Sequence, residues 1–223
     1  MIRRLLLTVF AAGTLVVLTA PSAYAATTIV QPNQTYAGKT YGQWSAAWWQ
    51  WAANISRPSP VDDPTGKNCA VHQRGPVWFL AGTPGTSSPR CTVPADKAIL
   101  FPVINGECSS VEGNGTTDAE LRACAQGQMD LVTTLGASID GVPVDLGPNG
   151  SRFRFQSPLF QITWAPNNGF NVPPGTGASV ADGFWVLLKP LAAGRHEIDF
   201  HGAIPTFNFQ LDVHYRVTVT EQK

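Results

Sequence analysis

The sequence predicts a mainly β protein, two β-sheets packed as a sandwich with two helices added. Three observations predict it. In the last strand Phe209, Leu211, Val213, Tyr215, Val217 and Val219 alternate with Gln210, Asp212, His214, Arg216 and Thr218, the period of a half-buried strand. The runs "VWFL", "AILFPVI" and "FWVLL" are short and apolar, and they are bounded by turn-forming residues, as buried strands are. Only 13% of the residues are charged against 21 glycines and 18 prolines, which suits a loop-rich β protein rather than a helical one.

The elements follow in order. Residues 1–25, "MIRRLLLTVFAAGTLVVLTAPSAYA", join a short basic region to an uncharged apolar run and the small-residue pattern Ala23-Tyr24-Ala25. That is a secretory signal peptide cut after Ala25, with Arg3-Arg4 leaving open a twin-arginine variant of the same export. The predicted product is one secreted domain, residues 26–223, with no membrane span, because the leader run is too short to cross a bilayer and no second run follows. Cleavage removes Arg3 and Arg4 and leaves 13 basic against 15 acidic side chains, a net charge of about −2. No basic patch is visible in the sequence, which argues against nucleic acid and anionic membranes as partners.

"YGQWSAAWWQWAANI", residues 41 to 55, places four of the seven tryptophans within eight positions. Tyr41, Trp44, Trp48, Trp51, Ala52 and Ile55 recur at helical steps, Thr40 and Gln43 form a capping box, and Pro58 and Pro60 stop the helix. Trp49 lies about 100° from Trp48 and off that stripe, so it is either a second packing contact or an exposed ring.

After the turn-rich "SRPSPVDDPTGKN", buried strands are expected in "CAVHQRGPVWFLAGT" and "KAILFPVI", with "PGTSSPRCTVPA" as a loop between them. Thr117 and Glu120 form a second capping box, opening a helix through about Leu135 with Leu121, Cys124, Leu131, Val132 and Leu135 inward. Asp140-Gly141 marks a hairpin. From Ser151 onward "RFRFQ", "LFQITW" and "FWVLL" read as strands. The closing hairpin is expected to turn near residues 202 to 207, with Asp199 opposite Gln210, Glu197 opposite Asp212 and Arg195 opposite His214.

Cys69, Cys91, Cys108 and Cys124 are an even set in an oxidising compartment, which favours two disulfides. Three pairings are possible; Cys69 with Cys91 and Cys108 with Cys124 close the moderate loops. Their spacing matches no zinc pattern, and neither a metal nor a cofactor is expected.

Two resemblances extend this reading. "DGFWVLLKPLAAGRHEIDFHG" followed by "FQLDVHYRVTV" resembles the closing strands of bacterial immunoglobulin-like domains over about 40 residues, which implies an immunoglobulin-like β-sandwich with two added helices. The longer series "YGQWSAAWWQWA", "GPVWFLAGT" and "CTVPADKAILFPVIN-x-EC" resembles a family of secreted bacterial hypothetical proteins without an established activity, and implies no catalytic residues.

The chemistry candidates are few. His72 sits beside Cys69 at a strand end; Asp62 and Asp63 occupy an acidic loop that lacks EF-hand spacing; Glu107 and Glu112 bracket Cys108 in a Gly/Ser/Asn-rich stretch read as solvated loop. Paired carboxylates perform glycoside hydrolysis when held about 5 to 10 Å apart. There is no G-x-S-x-G elbow and no phosphate-cradling loop. Trp49, Trp164 and Phe170 near loops are the candidate ligand-binding rings, since aromatic faces stack on sugar rings. The leading expectation is therefore extracellular binding of a glycan or cell-envelope polymer without catalysis. The runner-up is a secreted polysaccharide-acting hydrolase using carboxylates among Asp62, Asp63, Glu107 and Glu112, with His72. The third is a structural envelope protein that docks a partner through the tryptophan stripe.

Overall fold

The computed structural model describes residues 28–221, so the expected signal peptide and its expected cleavage site lie outside the described residues. Its strands are β1 (Val77–Phe79), β2 (Gly85–Ser87), β3 (Arg90–Pro94), β4 (Ala98–Ser109), β5 (Thr134–Ile139), β6 (Val142–Pro143), β7 (Arg154–Gln156), β8 (Phe160–Trp164), β9 (Gly175–Leu188), β10 (Gly194–Ile204) and β11 (Phe209–Thr220), with helices α1 (Tyr41–Ala53) and α2 (Asp118–Met129). One sheet runs β1-β4-β9-β7 with β8 also on β9; the other runs β2-β11-β10-β5-β6 with β3 also on β11. The long strands pair antiparallel, while β1 lies parallel to β4 and β2 and β3 lie parallel to β11.

The two sheets face each other as a β-sandwich. Phe101 of β4 stacks on Phe200 of β10 at 5.0 Å, and Phe200 stacks on Tyr215 of β11 at 6.2 Å. The alternation read from β11 holds: Leu211, Val213, Tyr215, Val217 and Val219 are buried and the residues between them are exposed.

Helix α1 forms as its capping box dictates. The Gln43 N–H donates to Thr40 Oγ1 and the Thr40 N–H to Gln43 Oε1. Trp44, Trp48 and Trp51 are buried, and their indoles donate to the carbonyls of Tyr36, Leu80 and Val71, each at 2.9 Å. The stripe is thus consumed within the chain and leaves no tryptophan face for a partner, against the docking reading. Trp49 is buried as well, so of its two readings the packing contact holds; loop residues beyond β8 cover the flank that the helical wheel leaves open.

Three expectations are corrected. The predicted loop "PGTSSPRCTVPA" contains β2 and β3, which the free edge of β11 recruits into pairing. Helix α2 ends at Met129, not near Leu135: the Thr133 N–H bonds to the Ala203 carbonyl and Leu135 enters β5, while Leu131 is exposed. Pairing with β10 outweighs the helical spacing of those leucines. In the closing hairpin β10 continues through Ile204, so the turn spans 205–208 with Asn208 in the left-handed region. Asp199 therefore faces His214, Glu197 faces Arg216 and Arg195 faces Thr218. The Asp140-Gly141 hairpin is as expected, both residues having positive φ, as a type I′ turn requires.

Both favoured disulfides form, Cys69–Cys91 and Cys108–Cys124. The latter, closing a separation of 16 residues, ties β4 to α2. Replacing Cys108 and Cys124 together by serine is expected to lower unfolding stability by about 3 kcal/mol. Urea denaturation measures this; an unchanged midpoint would show that the cross-link contributes nothing. No helix among the described residues is long and apolar enough to cross a membrane.

Candidate functional site

The site begins with a slip in register. The pairing of β4 with β9 shifts between Pro102 and Ile104. Before it Phe101 faces the second sheet; after it Ile104 does, packed against Gly202. A one-residue bulge exchanges the two faces of a strand, so Asn105, Glu107 and Ser109 now point to the α1 side while Gly106 meets Gln128 and Met129 of α2. Polar side chains are thereby placed on the buried face of a central strand. Opposite them β9 offers Ser179, Ala181 and Gly183, whose small size leaves room.

The β1 strand covers only residues 98 to 100 of β4. Beyond it lies a cleft of about 510 Å³, whose walls include Trp49, Asn105, Glu107, Glu112, Trp164 and Phe170. The three aromatic rings singled out from the sequence meet here. Trp49 and Phe170 lie 5.1 Å apart between centroids, Trp164 and Phe170 5.4 Å, and Trp49 and Trp164 6.3 Å. They are not an open platform, since Trp49 is 6% and Trp164 2% exposed. Phe170, half-buried, is the ring nearest solvent.

Asn168 builds the loop that carries Phe170. Its buried amide donates to the carbonyls of Ala165 and Val172 and accepts from the N–H groups of Phe170 and Val172, standing in for secondary structure. Arg57 clamps the same loop through the carbonyls of Asn168 and Gly169 and pairs with Asp62 at the cleft margin.

Glu107 is not in a solvated loop, as the sequence suggested, but on β4 and 6% exposed. Its carboxyl accepts from Ser179 Oγ at 2.8 Å and neighbours the Glu112 carboxyl. Glu112, exposed, accepts from Ser109 Oγ at 2.7 Å. Burial, then the neighbouring Glu112, push the Glu107 carboxyl up to about 9. Glu107 thus keeps its proton at neutral pH. Two buried N–H donors on the cleft walls, Trp49 Nε1 and Asn105 Nδ2, have no protein acceptor.

The other candidates fall outside. His72 is exposed on a left-handed turn and does not line the cleft. Asp63 accepts hydrogen bonds from Thr65 and Asn68, which lower its pKa against the opposing effect of burial and mark it as a turn former. His196 joins Asp140 to the Ala192 carbonyl, and His214 lies between Asp199 and Asp212 on the outer face of the second sheet. Among the described residues no three His, Cys, Asp or Glu side chains converge as a metal site. Asn105 was missed by the sequence reading. Its signal was the alternation Asn105, Glu107, Ser109 against Gly106, Cys108, visible only once the stretch is taken as a strand.

Fold and site together define a disulfide-bonded β-sandwich with a recessed, aromatic-walled cleft closed by a carboxyl pair, and the disulfides fit an extracellular or periplasmic protein. No family model matches the chain, and no curated protein matches it. Among solved structures it is similar to a chain in the structure of PbICP-C in complex with falcipain-2, at 11% identity and a TM-score of 0.23, covering 66% of this chain and 100% of that one. A likeness of that size carries no argument about fold or activity.

Proposed function

We propose that the chain is a secreted binding protein for a glycan or cell-envelope polymer, which holds one sugar unit in the cleft beyond β1. The observation that carries this reading is the convergence of Trp49, Trp164 and Phe170 with Glu107 and Glu112 on one cavity of about 510 Å³. A sugar ring presents CH groups on one face and hydroxyls at its edge; the aromatic wall suits the first, and the carboxyl pair and Asn105 the second. The volume lies within the usual range for a small-molecule site, about 300 to 1,000 Å³.

Tryptophan fluorescence during titration with a panel of soluble neutral polysaccharides tests this, repeated with Phe170→Ala. Because Trp49 is buried, Trp49→Phe is used in place of alanine, which would open a cavity in the core. A saturable response weakened about tenfold by Phe170→Ala, with unchanged melting, is expected. Silence with every glycan would overturn the reading.

One observation favours hydrolysis as a second reading: a protonated Glu107 faces Glu112 in the same cleft. New reducing ends released from a bound polysaccharide, and lost in Glu107→Gln, would replace the binding reading by the catalytic one.

A further inference from the structure

The outer face of the second sheet carries a charge arrangement that the linear sequence hides. Arg90 of β3 lies directly beside Arg216 of β11, and Arg195 of β10 stands one pair along, opposite Thr218. Arg90 lies more than a hundred residues before the other two in the chain, yet the three edge one shallow groove of about 630 Å³ with Thr92, Thr218 and Glu197. Neighbouring strands are about 4.8 Å apart, so the Arg90 and Arg216 stems run side by side.

Arg57, Arg122, Arg152 and Arg154 are each ion-paired to an aspartate. Arg90, Arg195 and Arg216 form no ion pair among the described residues, although Glu197 is the cross-strand neighbour of Arg216. Like charges placed opposite each other destabilise a sheet. The fold nevertheless holds this pair rigidly. The Arg90 N–H bonds to the Thr65 carbonyl, the Arg216 N–H to the Pro89 carbonyl, and the adjacent Cys91 is anchored to Cys69. Guanidinium groups are forked donors suited to carboxylate and sulfate oxygens.

We propose that this groove is a second binding site, for an anionic polysaccharide whose carboxylate or sulfate groups bridge Arg90, Arg216 and Arg195. The hydroxyls of Thr92 and Thr218 lie between the charges and suit a hydroxyl-bearing chain. No Phe, Tyr or Trp side chain lines the groove for a nucleobase to stack on. The flanking Asp199, Asp212 and Glu197 disfavour a broad anionic surface such as a membrane. This site is separate from the cleft beyond β1, and either can fail without the other.

The test compares dextran sulfate with unsulfated dextran as ligands for the mature protein, by calorimetry, with Arg90→Gln/Arg216→Gln and Phe170→Ala as variants. Expected are binding of dextran sulfate alone, weakening as salt rises from about 50 to about 500 mM, and a loss of about tenfold or more in the double arginine variant. Phe170→Ala leaves this binding unchanged. In the absence of ligand the double variant melts at a higher temperature, because a repulsive pair has been removed. The proposal is overturned if dextran binds equally, if the arginine variant keeps full affinity, or if Phe170→Ala abolishes the binding. It is also overturned if single-stranded DNA binds more tightly than the sulfated chain, or if the arginine variant melts lower, which would assign the arginines to the fold.

Discussion

Replacing Trp48 by alanine is expected to destabilise the protein by about 3 to 5 kcal/mol, the largest single-residue effect the structure indicates. Trp48 is 3% exposed and sits at the centre of the aromatic core. Its ring contacts Trp49, Trp51 and Trp185 at centroid distances of 5.2, 5.8 and 5.6 Å. Its indole N–H donates to the Leu80 carbonyl just beyond β1, so α1 is joined to the sheet by a hydrogen bond as well as by packing. Truncation removes the buried ring, leaves a cavity and strips that carbonyl of its donor. Trp48→Phe keeps much of the volume but not the donor, and is expected to fall between the two. Denaturant unfolding followed by far-ultraviolet circular dichroism measures both. A loss below about 1 kcal/mol for the alanine variant would mean that α1 is not anchored as described.

The second large effect concerns pH. Between the ordinary carboxylate value of 4.5 and about 9, the folded state holds a proton on Glu107 that the unfolded chain releases. Stability therefore falls as pH rises through that window, by about 2 to 4 kcal/mol from pH 5 to pH 8. Glu107→Gln removes the titrating group yet retains a carbonyl that accepts from Ser179 Oγ. The variant is expected to unfold with a flatter pH dependence and to be more stable than the parent at pH 8. Melting curves across the range decide the matter: a parent as stable at pH 8 as at pH 5 would show that Glu107 does not carry a retained proton.

How legible these features were depends on the range of the interactions that create them. The α1 capping box, the Asp140-Gly141 turn, the β11 alternation and the two disulfide loops each depend on neighbours within one element or one loop, and each is found as read. The errors have a common cause. Helix α2 was extended to Leu135 on local spacing, but a sheet edge claimed residues 134–139; β2 and β3 looked like loop until β11 offered a partner; the closing register depended on where β10 stopped. Glu107 was placed in a solvated loop because glycine, serine and asparagine surround it, whereas β9 extends β4 through Ser109 and buries its carboxyl.

By itself, then, the sequence determined the fold class, the helix bearing the tryptophans, the even cysteine set with its favoured pairing and the three aromatic rings worth watching, because periodicity, capping and turn chemistry are written in adjacent residues. Only the tertiary structure decided that those rings are a recessed wall rather than an exposed platform, that Glu107 is buried near Glu112 in the same cleft, and that Arg90, Arg195 and Arg216 stand together without an ion pair among the described residues. Each of those outcomes rests on strands that meet across long separations of chain, where the bulge in β4 and the register of β11 select which side chains share a face.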